Sequence, residues 1–274
     1  MCSYIIVEIV CNLIKIMKRC LIIIGNQGTP SKGNYLPGVS RDVNNYLSFF
    51  KSDNGGAWED DEIIPKVYDW TSWGLYLNIL QRRLNGLDYA IIVFTGHGYA
   101  LKNGETYFEL SEGHDVSLST IKSWFPTQKV LMIADSCQSF VNLYREGGIL
   151  GEALIQKSFS SRRDYLRNLY NNHIESVPQK AFIFASAVSP GEGANDSSKG
   201  GLYSYNMLSM ANSIINNTVL SKSVWSIDII HNMAKTNVEK GSDGQQHPKL
   251  TMTLTSGTYD SELYSLTFPP FFVK

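Results

Sequence analysis

At 274 residues, with 43% hydrophobic and 18% charged positions, the chain has a globular composition and enough length for one continuous core. Its 24 basic and 25 acidic residues leave a net charge of −1 without a long run of either sign, which argues against the basic stripe of a nucleic-acid surface. The four cysteines match neither a zinc-site spacing nor a disulfide framework, and Cys137 stands far from the other three.

The chain opens with an apolar stretch, Tyr4 to Ile16, interrupted by Glu8. It is too short to span a bilayer and lacks the basic flank of a signal peptide, so no membrane attachment is expected. Residues 1–16 therefore read as an N-terminal extension, either a real segment or one preceding a natural start at Met17. A free thiol without an export signal fits a reducing, cytoplasmic setting.

From residue 17 onward the pattern is that of one domain. Cys20–Ile24 reads as a buried strand, Arg41–Lys51 as a helix and Ile63–Trp70 as a strand. Trp73, Tyr76, Leu77, Leu80 and Leu84 follow helical spacing. Tyr89–Phe94 is the next strand, Leu118–Phe125 a short helix closed by Pro126, and Val130–Ala134 another strand. The stretch Gln138–Gln179 is too long for a passive loop, and Leu150–Tyr170 within it has helical character. Ala181–Ser186 is a strand, Leu202–Ile215 and Val224–Val238 are helical, and Leu250–Leu254 reads as a last strand. Uninterrupted apolar strands alternating with helices predict an α/β fold, a mostly parallel sheet covered on both faces.

In such sheets, functional residues gather where strands end at their carboxyl edge. Thr95-Gly96-His97-Gly98 follows one predicted strand, and Asp135-Ser136-Cys137 follows another. A thiol attacks a carbonyl as the thiolate, and a neighbouring imidazole can take its proton and later deliver it to a leaving amine. Cys137 and His97 are thus the candidate nucleophile and acid/base. The backbone N–H groups of Gly98 and Cys137 are candidate oxyanion donors. Taken singly, a cysteine after a strand is more often a small buried hydrophobe, and Gly-His-Gly a tight turn. Their joint placement favours chemistry.

The segments Val93-Phe94-Thr95-Gly96-His97-Gly98 and Ile133-Ala134-Asp135-Ser136-Cys137-Gln138-Ser139 resemble the two catalytic motifs of caspase-like cysteine peptidases, and within them metacaspases. Leu36-Pro37-Gly38 with Asp42-Val43, Ala185-Ser186-Ala187 through Gly201-Leu202-Tyr203-Ser204, and Gln246-His247-Pro248 extend the resemblance over roughly residues 20–255. It implies the caspase–haemoglobinase fold with a mostly parallel six-stranded sheet sandwiched by helices. The large-subunit-like part would run to about residue 140, a linker from about 140 to 179, and a small-subunit-like part over 180–274. It implies an endopeptidase with a Cys–His dyad and no third catalytic group. Asp135 points the same way as Cys137 along an extended chain. By resemblance it joins Asp42 and Thr95 in a P1 pocket for Arg or Lys, although Asp135 is also suited to capping the following turn. Arg41 departs from the metacaspase pattern and is placed to neutralise Asp42.

Self-cleavage in the linker, with Arg162-Arg163 as the favoured place, follows from the same resemblance. No cofactor or metal is expected. Calcium dependence is doubtful, and Glu59-Asp60-Asp61-Glu62 reads as a solvated loop. The expected partner is a protein or peptide substrate, with a homodimer or regulatory partner left open. The alternative from another class is a caspase-fold pseudoenzyme serving as adaptor or sensor. A flavodoxin-like nucleotide module is disfavoured, because Gly25-Asn26-Gln27-Gly28 fits neither phosphate-loop pattern.

Overall fold

The computed structural model describes residues 17–64, 84, 86–111, 113–125, 129–139, 160–177, 180–254, 257–260 and 268–274. The expected extension 1–16, the helix of Trp73–Leu84 apart from Leu84 itself, Pro126, most of Ile63–Trp70 and the first half of the linker lie outside these residues.

In chain order the strands begin with β1 (Arg19–Asn26), β2 (Ile63–Ile64) and β3 (Tyr89–Gly96). A small antiparallel sheet follows, made of β4 (Gly98–Ala100), β5 (Thr106–Ser111) and β6 (His114–Ser117), and then β7 (Lys129–Ser136) and β8 (Phe182–Ser186). A two-stranded hairpin, β9 (Asp196–Ser197) and β10 (Gly200–Gly201), precedes β11 (Val224–Ser226), β12 (Lys249–Leu254), β13 (Gly257–Asp260) and β14 (Pro270–Val273). The helices are α1 (Gly38–Lys51), α2 (Leu118–Ser123), α3 (Ser160–Ser176), α4 (Leu202–Asn216) and α5 (Ile227–Gly241).

The main sheet has the order β13-β12-β8-β7-β3-β1-β2. Strands β2, β1, β3, β7 and β8 run parallel, β12 antiparallel, and β13 adds a further antiparallel edge. The expected six-strand sheet is therefore present, with one more strand beside it. Because β7 pairs directly with β8, the parts before and after the linker share one sheet.

Its central strands are apolar throughout because both faces are covered, and alternate side chains serve the two faces. Leu21, Ile23, Ile91, Val93, Leu131 and Ile133 face a core closed by residues of α1, α3, α4 and α5. Ile22, Ile24, Ile92, Phe94, Met132 and Ala134 face the opposite core, closed by Phe108, Leu110, Val116, Ile121 and Phe125. The small sheet escaped the sequence reading, although Thr106, Phe108 and Leu110 alternate inward. The expected helix from Val224 begins as β11, whose pairing with β14 holds the chain extended up to Ser226.

A buried ion cluster fixes the linker helix. Arg19 at the start of β1 is almost fully buried and stacks 4.2 Å from the Trp58 ring centroid. It donates to Glu62 at 2.9–3.0 Å, to Gly56 O and to Asn171 of α3. Arg167 of α3 reaches the same Glu62 at 2.7 and 2.8 Å. Arg163 donates to Glu59 at 2.9 Å, to Asp53 at 3.2 Å and to the Lys51 carbonyl. Within the acidic run at 59–62, Glu59, Asp60 and Asp61 are exposed as expected, with Glu59 pairing Arg163 and Asp60 pairing Lys51, whereas Glu62 is drawn between the Arg19 and Arg167 guanidinium groups.

Burial would raise the Glu62 carboxyl, but hydrogen bonds from Arg19 and Arg167 outweigh it and hold the group at about 2. A depressed folded-state value gives stability that is present above the ordinary 4.5 and lost as pH falls toward 2. Glu62→Gln should thus cost about 3 kcal/mol at neutral pH, since it strands the buried Arg19 cation and leaves the half-buried Arg167 without its carboxylate. Its melting temperature should also fall less steeply than wild type between pH 4.5 and 2.5. Parallel melting curves for the two proteins across that range would contradict the assignment.

Candidate active site

Strands β3 and β7 pair in parallel through eight positions, ending with Gly96 opposite Ser136. The next residues on each strand are His97 and Cys137, so the register brings the two residues to neighbouring positions at the carboxyl edge of the sheet. Gly98 lies against the Cys137 backbone, and a Cβ there would come within 3.0 Å of the Cys137 carbonyl and the Ser136 hydroxyl.

The His97 ring is held from behind. Nε2 lies 2.6 Å from the Asn34 carbonyl. A carbonyl only accepts, so Nε2 carries the proton and Nδ1 remains the basic nitrogen. The loop that brings Asn34 here follows β1 and is tied to itself: Gly28 N and Thr29 N donate to the Asn26 and Asn34 side chains at 3.0 and 2.8 Å. Gly28 has φ +68°, and a side chain there would strike both the Asn34 carbonyl and Nε2. The Gly25–Gly28 turn thus supports the histidine. Sequence reasoning found no orienting group for His97 because the one present is a backbone carbonyl, which leaves no residue-type signature.

Cys137 is partly buried. Ala194 N donates to Sγ at 3.3 Å, and the thiol points to the Ala194 carbonyl at 3.7 Å. Burial pushes the thiol up from its ordinary value, against the stabilising Ala194 N–H, so the resting group is a thiol. The segment carrying Ala194 is fixed on both sides. Gln138 N donates to Glu192 O, and Gly191 N donates to Gln138 O, each at 2.8 Å. Fully buried Gln246 donates to Ala187 O at 3.0 Å and accepts from Asn195 N at 3.1 Å. This gives the Gln246-His247-Pro248 motif a structural task.

Asp135 and Asp42 meet beneath β10. Asp135 accepts from Ser204 N at 2.8 Å, and Asp42 accepts from Gly201 N at 2.9 Å and from the Thr95 hydroxyl at 3.0 Å. Thr95 therefore holds Asp42. Any side chain at Gly200 or Gly201 would strike Asp42 or Asp135 respectively, and Gly200 has φ +105°. Arg41 makes no ion pair with Asp42.

A third carboxylate that the sequence reading missed, Asp196 on β9, accepts from Gly38 N at 3.1 Å and acts electrostatically on Asp42, Asp135 and Cys137. Burial raises Asp196, with His97 acting in the opposite direction. Burial also raises Asp135 to about 6, opposed by the Ser204 N–H and hydroxyl. Asp42 is raised by burial and then by Asp135 itself. Burial and the neighbouring charge thus favour the protonated form of both groups.

Arg162 and Arg163 fall in the first turn of α3, with Arg162 exposed and Arg163 bound as described above.

Residues 17–259 match the family model described as the Caspase domain. The chain belongs to the caspase-domain family. Two solved structures share its fold. Caspase-1 from Spodoptera frugiperda has 12% identity and a TM-score of 0.52, over 87% of this chain and 88% of that one. Protein GSU0716 from Geobacter sulfurreducens has 12% identity and a TM-score of 0.52, over 93% and 99%. No curated protein sequence matches the chain. In this caspase-domain protein, no helix among the described residues is long and apolar enough to cross a membrane, and no cluster of three or more acidic, histidine or cysteine side chains is arranged for a metal ion.

The raised Asp135 value has a consequence for stability. Its protonated form is favoured by folding, so this stability is full below the ordinary 3.8 and is lost as pH rises through about 6. Asp135→Asn keeps an acceptor for Ser204 N and removes that loss. Its melting temperature should exceed wild type at pH 7.5, by the equivalent of about 3 kcal/mol, and approach it at pH 4. A variant less stable than wild type at pH 7.5 would show that the carboxylate is compensated within the fold.

Proposed function

We propose that this protein is a cysteine endopeptidase of the metacaspase kind, cleaving after Arg or Lys through a Cys137–His97 dyad. The observation that supports this reading best is the β3–β7 register, which sets the two residues side by side. His97 Nδ1 takes the Cys137 proton as Sγ attacks the scissile carbonyl carbon. The Gly98 and Cys137 N–H groups receive the oxyanion. Collapse breaks the C–N bond, and the amine leaves with the proton from His97. Water then attacks the thioester with His97 as base, releasing the acid and restoring the thiol.

The carboxylates of Asp42 and Asp135, with Asp196 at the rim, are complementary to a cationic P1 side chain. That cation makes charge-assisted hydrogen bonds with them. Self-cleavage after Arg162 or Arg163 belongs to the same reading under one condition. The first turn of α3 has to open, because a substrate lies extended across a catalytic thiol. Arg163 must also leave Glu59 and Asp53.

Fluorogenic peptides differing only at P1 test the reading, with Cys137→Ala as control. Cleavage after Arg or Lys should dominate, and the variant should lose at least about 99% of the rate. The intact mass of each protein after incubation shows whether processing accompanies activity. Preference for Asp or Leu would overturn the pocket, and an active Cys137→Ala protein would overturn the nucleophile. A fold serving only as adaptor or sensor would give no cleavage at all.

A further inference from the structure

The small sheet β4–β6 begins one residue after His97, and its two faces differ. Thr106, Phe108 and Leu110 of β5 turn inward and are buried, with Phe108 and Leu110 in the core against the main sheet. Tyr107 and Glu109 alternate with them on the outer, half-exposed face. Tyr99 of β4 stands opposite Tyr107, and Asp115 of β6 stands opposite Glu109. The two tyrosine rings are stacked, 5.2 Å apart and 2° from parallel. The Tyr99 hydroxyl reaches across β5 to donate to Asp115 at 2.8 Å, and the Glu109 charge acts on the same hydroxyl. The row of carboxylates leads to the site, because Glu109 N donates to the His97 carbonyl at 3.0 Å. Carboxylates directly opposite each other on one sheet face repel, and aromatic rings present negative faces. A positive side chain answers both, by pairing with the carboxylates and by lying over a ring.

The chemistry fixes which part of a substrate comes here. His97 hands its proton to the amine of the leaving segment, so the residues after the scissile bond lie on the His97 side of Cys137. The P1 carboxylates are held on the α1–α4 side of the main sheet, whereas the small sheet packs on the other. Tyr99 is two positions beyond His97, and at about 3.3 Å per extended residue this is within reach of the first two leaving residues. We propose that Tyr99, Tyr107, Glu109 and Asp115 form a subsite for the leaving segment, which takes a lysine or arginine side chain at P1′ or P2′. This rests on the peptidase reading above but not on the residue preferred at P1. The subsite narrows the substrates to chains with a cation directly after the cut. Within the linker it favours cleavage after Arg162, which places Arg163 at P1′, over cleavage after Arg163, which places Asp164 there.

The test uses internally quenched peptides, built on the P1 residue whose coumarin amide is cleaved fastest and differing only in Lys, Ala or Glu at P1′ or P2′. Ratios of kcat/KM are taken within one preparation of wild type, Asp115→Asn and Tyr107→Leu, which cancels any loss of folded enzyme. Asp115→Asn keeps an acceptor for the Tyr99 hydroxyl while removing the charge. Wild type should favour Lys over Ala by about five- to tenfold at one of the two positions, and should disfavour Glu. Each variant should lower the Lys/Ala ratio about two- to fourfold, the scale of one exposed ion pair or cation–π contact. Equal rates for Lys and Ala at both positions, a preference for Glu, or ratios unchanged in both variants would overturn the inference. The peptidase reading would then still stand on the coumarin amide, which carries no leaving peptide. Wild type that cleaves neither the peptides nor the coumarin amide would instead remove the peptidase reading, and the subsite with it.

Discussion

Parallel pairing of β3 with β7 is the constraint on which the site depends. With Gly96 opposite Ser136, His97 and Cys137 leave the sheet edge as neighbours. A slip of one residue would exchange the faces of an entire strand, sending Val93 and Ile133 into the wrong core. Burial on both faces makes that slip prohibitively costly, so the same apolar packing that stabilises the sheet also fixes where His97 and Cys137 emerge. Everything else in the site is arranged around this pair. The loop after β1 brings a carbonyl to Nε2, the segment after β8 brings a peptide group to Sγ, and α1 brings Asp42 under Thr95.

The resting site stores its chemistry in unfavourable charge placements. Asp42, Asp135 and Asp196 are raised by burial, and the Cys137 thiol is raised as well. A fold optimised for stability alone would not place two nearly buried carboxylates together. Under the proposed reading, a cationic substrate group would relieve that repulsion as it binds. The ion cluster around Arg19 shows the opposite arrangement, with Glu62 matched by two guanidinium groups and held at about 2. The contrast separates a matched ion pair from a pair of buried carboxylates that raise one another.

The sheet was legible in the sequence because strands buried on both faces have to be apolar runs, and Cys20–Ile24, Tyr89–Phe94 and Val130–Ala134 are such runs. His97 and Cys137 were legible for the related reason that they follow those runs directly. Asn34 was not, because it contributes a main-chain oxygen. Asp196 was not, because it arrives on a two-residue strand 59 positions after Cys137. Arg19 meets Glu62 and Asn171 across 43 and 152 positions, separations at which local pattern carries no information. The linker helix was legible in its described part, Ser160–Tyr170, and runs on to Ser176, with Arg163 and Arg167 anchoring it to the 53–62 segment, while 150–159 lie outside the described residues.

The central claim is that Cys137 is a nucleophile driven by His97 in front of a cation-binding pocket. Intact-mass measurement after reaction with peptidyl acyloxymethyl ketones, carrying Arg or Asp at P1, tests it at the reacting atom. The account predicts one covalent adduct, mapped to Cys137, formed by the Arg reagent in wild type and lost in His97→Ala. An adduct that forms equally with the Asp reagent, falls on another residue, or forms unchanged in His97→Ala would contradict it.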